Sequence, residues 1–291
     1  MNSSYILREG GRIVGDFLYK NSEMTFEVSY RKAQSHHMPA SHFHSTYEIY
    51  FLLSGQRTFF IQDRTIVASE GDVVIVAPNV LHRTTNAAVS EHERLIVNID
   101  RSLIGLTNGD EAGFLQPLLE REYVFMRFYL HERQSVEELA HGMMQEMRER
   151  QPGFELYARA LVQQLLVVCG RHIGRGSVVP LVSPSPMHER IANIVRYMND
   201  HYMEDLSLQR VADRFYVSTY YLSRFFKEAT GFSFVEYLNS VRVKEAKKLL
   251  EGSPMKVGAI ARKVGFHSVT HFGRVFKLVT GYVPLYYRKR K

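Results

Sequence analysis

A chain of 291 residues, 45% hydrophobic and 23% charged, is long for one core and suits an ordinary water-soluble protein of two domains. Its single cysteine, Cys169, excludes an internal disulfide framework and fits a reducing compartment. No stretch, including the opening "MNSSYILREGGRIVGDF", is apolar enough for a signal peptide or a bilayer span, so a cytoplasmic location is expected. The net charge of +7 is unevenly spread. Residues 188–291 hold 19 Lys/Arg against 9 Asp/Glu, a balance of +10, and the rest hold 18 against 21, a balance of −3. Excess positive charge in the C-terminal third points to a polyanion, nucleic acid ahead of an anionic membrane.

Up to about Asp100 the chain reads as short strands between turns. "YEIYFLLSG", "DVVIVAP" and "ERLIVNID" are rich in β-branched and aromatic residues and bounded by Gly, Asp and Pro. From Ser135 the period changes. "SVEELAHGMMQEMRER" and "FELYARALVQQLLVVCGRH" suit two helices broken at "QPG". Leu156, Ala160, Leu161, Leu165 and Val168 form a stripe on the second, suited to the β-domain or to a second subunit. "GRGSVVPLVSPSPM", residues 174–187, reads as a linker.

Beyond it the chain is helical and repeats itself. Ile191, Ile194, Val195 and Met198 share one helical face. Ser207 can cap a helix carrying Leu208, Val211, Ala212 and Phe215, and Ser218 can cap the next, with Leu222, Phe225 and Phe226 inward. Two short helices joined by a tight turn are what a helix-turn-helix requires. "VADRFYVSTYYLSRFFKEATGF" then aligns with "IARKVGFHSVTHFGRVFKLVTGY", with one extra residue in the second turn. Between the copies, Ser233 and Glu236 form a capping-box pattern ahead of a helix through Leu249 and Leu250. At 100° per residue, Tyr220, Arg224 and Lys227 lie opposite the apolar side of the first recognition helix. Thr270, Arg274 and Lys277 do so in the second, opposite Phe272, Val275 and Phe276. Such faces occur as plain solvated surface, but two in register within a +10 domain favour double-stranded DNA. Arginine there suits guanine, and lysine suits phosphate.

The stretch from "LSLQRVADRFYVSTYYLSRFFKEATGFSFVEYLNSVRVKEAKKLL" through "IARKVGF" and "FGRVFKLVTGYVPLYYR" resembles the AraC/XylS-type DNA-binding domain over residues 188–291. The resemblance implies two helix-turn-helix units entering successive major grooves. It also implies base reading by Tyr220, Ser223 and Arg224, and by Val269, Thr270, His271 and Arg274. Gly273 departs from the family's more polar run and offers no side chain, which weakens reading by the second helix.

"SHFHSTYEIYFLLSG" presents His42, His44 and Glu48, metal-ligand residue types at a metal-ligand spacing. On a strand, His42 and His44 share a face, joined by Glu48 if the strand stays regular. "GDVVIVAPNVLHRTTN" adds Gly71, Pro78, His82 and Asn86. Together the two stretches resemble the paired motifs of cupins, small β-barrels in which three His and one Glu can hold a metal. The leading glycine of the first motif is replaced by His36, and the second is one residue short between Pro78 and His82. Three readings stay open for His42, His44, Glu48 and His82. They hold a divalent metal, they line a metal-free pocket for a small polar effector, or they form a satisfied polar core. The metal-free pocket is preferred and no cofactor is expected. His36 and His37 read as loop residues, and Cys169 as packed.

The expected fold is α+β: a cupin-like β-barrel (1–130), a helical pair for dimerisation or packing (131–173), a linker (174–187) and an all-α domain of two helix-turn-helix units (188–291). The expected function is a DNA-binding transcriptional regulator rather than an enzyme. Its expected partners are an operator, a second copy of itself and, for an activator, RNA polymerase. The family resemblance suggests a sugar as effector. The alternatives are a metal-dependent cupin enzyme fused to a DNA-targeting module and, less favoured, a basic domain that docks on membranes.

Overall fold

The computed structural model describes residues 15–33, 44–87, 91–104, 110–176 and 185–288. The N-terminal half carries β1 (Phe17–Lys20), β2 (Phe26–Ala33), β3 (Tyr47–Ile61), β4 (Arg64–Ser69), β5 (Val73–Val76), β6 (His82–Asn86), β7 (His92–Ile99) and β8 (Tyr123–Met126). The strands run in the order β1-β2-β7-β3-β5-β8, with β4 and β6 also paired to β3. Their pairings are antiparallel.

Strand β3 organises this domain. Its first half pairs with β5 and β7, its second half with β4 and β6. A bulge between Leu52 and Ser54 bends it from one sheet to the other. Gly55 completes the corner at φ 84°, where a Cβ would lie 2.2 Å from the Glu91 carbonyl oxygen. Only glycine fits there. The extra residue inverts the facing of β3. Tyr50 and Leu52 before it, and Phe59 and Ile61 after it, all join one interior cluster with Ile66, Val74, Val76, Ile96 and Phe125.

The opposite face of the β1-β2-β7-β3-β5-β8 layer is also buried. Ile49, Phe51, Leu95, Val97 and Ile99 pack with Leu118, Met143, Met144, Val162, Leu165 and Cys169. These come from α1 (Asp110–Leu119), α2 (Leu130–Glu149) and α3 (Phe154–Gly174). Strands buried on both faces read as continuous apolar runs, as in "VVIV" of β5. Cys169 is fully buried, and burial pushes its thiol pKa up.

The C-terminal domain is helical: α4 (Pro186–His201), α5 (Leu208–Arg214), α6 (Thr219–Thr230), α7 (Phe234–Gly252), α8 (Val257–Lys263), α9 (Val269–Thr280) and α10 (Pro284–Arg288). Ser185, Ser207, Ser218 and Ser268 each accept the amide three residues on, and Ser233 with Glu236 forms the full capping box. Each such cap is worth about 1 kcal/mol. The repeat is visible in the turns. Val217 donates to the Ala212 carbonyl, and Phe266 to that of Ala261. The left-handed residue is Tyr216 in the first turn and Gly265 in the second.

The two domains are packed together. Phe60 and Leu81 leave the β-domain surface and join the helical core beside Phe226, Phe232 and Tyr237. Thr65 Oγ1 donates to the Ala229 carbonyl at 3.0 Å, and Arg196 meets Asp63 at 2.7 Å. The end of α6 abuts β6, so a Cβ on Gly231 would lie 2.8 Å from Thr85 and 2.9 Å from Arg83. At the equivalent Gly281 it would meet nothing within 4 Å.

Four expectations need adjustment. Helix α2 begins at Leu130 rather than Ser135, because Glu132 in its first turn is anchored by His172 and Arg175 at 2.9 and 2.6 Å. His44 precedes β3 and lies off the strand, since Ser45 and Thr46 bend the chain into it. The stripe on α3 divides. Leu161 and Leu165 are buried in the intramolecular core and Val168 packs partly against it, whereas Leu156 and Ala160 are exposed. The expected linker 174–187 is shorter at its ends, since Gly174 closes α3 and Pro186 opens α4; its residues 177–184 lie outside the described residues, as do His36, His37 and His42.

Candidate functional site

Strand β6 has two different faces. On β3 it registers His82 against Ile61 and Thr84 against Phe59, so both share the interior face. Leu81, just before the strand, packs into the helical domain. Arg83 lies over the Phe232 ring at 4.9 Å, and Thr85 faces Gly231.

At one end of the interior, His44, Glu48 and His82 converge. His44 Nε2 lies 3.2 Å from Glu48 Oε2, and His82 Nε2 lies 3.5 Å from Glu48 Oε1. His44 Nδ1 donates to the Thr46 carbonyl at 2.7 Å and His82 Nδ1 to that of Val80 at 2.9 Å, because a carbonyl can only accept. In their neutral forms, both rings therefore turn an Nε2 lone pair toward a carboxylate. A cation between these acceptors, a shared proton or a metal ion, relieves their repulsion.

The electrostatics follow the proton. Burial alone would raise Glu48, but the two imidazoles overcome it and hold the carboxyl well below the usual range. Burial alone would lower His82, and the Glu48 charge with the Val80 carbonyl reverses this, so its pKa is raised. The donor set also fits a divalent ion, since one ligand atom from each of the three residues lies within 4.8 Å of the others. His44, Glu48 and His82 would hold it, and it would supply a Lewis-acid centre for an oxygen ligand. The fourth expected member, His42, lies outside the described residues. A cleft of about 690 Å³ between the domains opens beside His44, Thr46 and Asn98 on one side and Lys247, Tyr282 and Tyr286 on the other.

Sequence reasoning missed Arg57, Tyr50 and Arg94. Arg57 follows the bulge on β3 in register with Asn86, whose side-chain oxygen accepts from its Nη1. Arg94 is two residues before Ile96 on β7 and shares its interior face. The Arg94 guanidinium lies 5.7 Å from the Tyr50 ring centroid. Burial pushes the Tyr50 hydroxyl up to about 12 despite both arginines.

On the helical domain, Leu222 and Phe226 are fully buried and Phe225 partly so. Tyr220 (73% exposed), Ser223, Arg224 and Lys227 form the outer face of α6. On α9, Phe272, Val275 and Phe276 are buried, and Val269, Thr270, His271, Arg274 and Lys277 are exposed. Helix α7, about 28 Å long at 1.5 Å per residue, joins the two units.

Residues 23–166 match an AraC-like ligand-binding domain, and residues 211–290 match a helix-turn-helix domain. The regulatory protein PocR of Salmonella typhimurium is 34% identical over 107 residues, 37% of this chain and 35% of that one. The arabinose operon regulatory protein of the same organism is 31% identical over 135 residues, 46% of each chain. The Msm operon regulatory protein of Streptococcus mutans is 24% identical over 250 residues, 84% of each. The chain thus spans about a third to a half of the first curated relatives it matches. Unsaturated fatty acid-bound ToxT from Vibrio cholerae aligns over 93% of this chain and 96% of its own, at TM-score 0.40 and 14% identity. The chain belongs to the AraC-type transcriptional regulators, with an N-terminal β-rich ligand-binding domain and a C-terminal helix-turn-helix domain. None of its described helices is long and apolar enough to cross a membrane.

Proposed function

We propose that the protein binds an operator in double-stranded DNA and that a small polar effector, held between the sheets of its β-domain, sets how it does so. One observation carries this reading. Strand β6 turns His82 and Thr84 toward the interior and Arg83 and Thr85 toward the end of recognition helix α6, so a change on one face is felt on the other. A ligand that prefers one arrangement of β6 shifts the balance by its difference in affinity for the two states, typically 1–3 kcal/mol for such coupling.

In this reading, Tyr220, Ser223 and Arg224 read bases in one major groove. Val269, Thr270, His271 and Arg274 read the next, and Lys227 and Lys277 meet phosphate. The effector site consists of His42, His44, Glu48 and His82, a sugar being the class that the arabinose operon relative suggests. Leu156 is 68% exposed and Tyr157 lies beside it, which suits a homodimer through α3. A cytoplasmic protein that recruits RNA polymerase, if it activates, completes the account. Operator binding measured with and without a candidate effector, in the wild type and in His82→Ala, tests it. Loss of the response with retained operator binding is the expected result.

The convergent donors at Glu48 favour one second reading, a metal-dependent enzyme carrying a DNA-targeting domain. Turnover of a candidate substrate on adding metal would support that reading instead.

A further inference from the structure

The interior of the β-domain holds a second polar centre besides His44, Glu48 and His82. Arg57 is 1% exposed and Arg94 8% exposed, and both face inward around Tyr50. Arg94 Nε and Nη1 find no hydrogen-bond acceptor, and no carboxylate lies within 4.0 Å of this guanidinium among the described residues. Among the described residues, the buried carboxylate on the same interior face is Glu48, and it is engaged by the two histidines. Arg57 is held by Asn86, whereas Arg94 beside it is a desolvated cation without a carboxylate among the described residues, an arrangement in which like charges repel and an unmatched ion is costly. Burial pushes the Arg57 pKa down; Tyr50 opposes this in part, and the nearby Arg94 charge adds a smaller push in the same direction as burial. Burying Arg94 in this way costs stability on its own account. The protein gains a fork of N–H donors shaped for a carboxylate.

We propose that Arg57 and Arg94 form an anion subsite, so that the effector is a hydroxylated carboxylate and not a neutral sugar. The proposal rests on the reading of this interior as the effector site. Asn98 stands opposite Glu48 in the β3–β7 register, and Arg94 is four residues before it on β7. That separation is about 13 Å along the strand, and the Arg94 side chain shortens it by reaching over Tyr50. A short polyol chain spans the remainder. Its carboxylate meets the arginines, and its hydroxyls meet Glu48, the imidazoles and Asn98. The two centres thus divide the work: Arg57 and Arg94 select the charge, and the Glu48 end selects the hydroxyl pattern.

The test uses the full-length protein with two acids, D-gluconate and D-galacturonate, and their neutral counterparts, D-glucitol and D-galactose. Binding is read by calorimetric titration and thermal melting. At least one acid is expected to bind and raise the melting temperature, with its neutral counterpart at least tenfold weaker. Arg94→Met is expected to melt no lower than wild type without ligand and to lose at least tenfold in acid affinity, while Arg94→Lys loses less. Neutral sugars binding as tightly as the acids, with binding lost in His82→Ala, would refute the anion class and leave the effector site standing. Acid binding unchanged in both Arg94→Met and His82→Ala would put the ligand elsewhere and overturn both readings. No binding by any of the four, together with a destabilised Arg94→Met, would make Arg94 a structural group and end the proposal.

Discussion

Lys247 of α7 donates to Asn79 Oδ1 at 2.7 Å, and the Asn79 backbone N–H donates to the His44 carbonyl at 2.7 Å. One asparagine, held at φ 61°, therefore joins the proposed effector site to the helix that spaces the two helix-turn-helix units. The lysine is buried and also meets Glu251 at 3.9 Å and the Tyr287 ring. Asn79→Ala is expected to cost about 1–3 kcal/mol, the penalty for removing one partner of a buried polar pair. It should also reduce the effector's influence on operator affinity. Asn79→Gly keeps the backbone shape but loses the same hydrogen bond, so it should uncouple equally. An undiminished effector response in both variants would show that the signal travels by another route.

Gly231 and Gly281 offer a matched comparison. Both end a recognition helix in the left-handed region, at φ 77° and 80°, so alanine at either costs about 1 kcal/mol in backbone strain. Only at Gly231 does the added methyl strike β6, through Thr85 and Arg83. Gly231→Ala should therefore lower the melting temperature more than Gly281→Ala and loosen the first unit from the β-domain. Amide exchange along β6 reports this. Equal melting temperatures and equal exchange in the two variants would contradict the docking.

The ion pair at Glu48 predicts a bounded pH window. The Glu48 pKa is lowered on folding, so its contribution is present above its ordinary value of 4.5 and is lost as pH falls through the shifted one. The His82 pKa is raised, so its contribution is complete below 6.5 and is lost as pH rises through the shifted value. Melting temperature should thus be highest between these limits and decline on both sides. Glu48→Gln should flatten both flanks, at a cost of about 3–5 kcal/mol for a broken buried pair. A wild-type profile that matches the variant's would mean that the pair does not titrate as described.

Metal content separates the two cations that can sit among these donors. The purified protein should hold well under one equivalent of divalent metal, and a chelator should leave its melting temperature unchanged. One full equivalent, lost in His44→Ala, would establish the ion in place of the proton.

The helical domain was largely legible because its signals are local. Serines at 207, 218 and 233 cap helices as their spacing implies, and the repeated apolar stripes point inward. The His44–Glu48–His82 convergence was legible as a motif, although His44 reaches it from a bend and not from a strand. Arg57 and Arg94 were hidden for two different reasons. The bulge at Leu53 inverts the alternation of β3, so counting from Glu48 puts Arg57 on the wrong face. On β7 both faces are buried, so "ERLIVNI" shows no polar side from which to orient Arg94. Nothing local in the sequence marks Phe60 and Leu81 as interdomain contacts.

The central claim is that α6 reads an operator through Arg224. Arg224 is exposed on α6, with its guanidinium 5.5 Å from the centroid of its neighbour Phe225. The most direct measurement is the affinity of wild type and Arg224→Ala for the operator and for a scrambled duplex, across a salt series. The expected loss is about 1–3 kcal/mol on the operator only, with discrimination relaxed at one base pair. Lys227→Ala and Lys277→Ala, measured alongside, should weaken both duplexes alike and each reduce the salt slope by about one. Equal losses on both duplexes for Arg224→Ala would contradict the claim, since the residue would then contact phosphate alone.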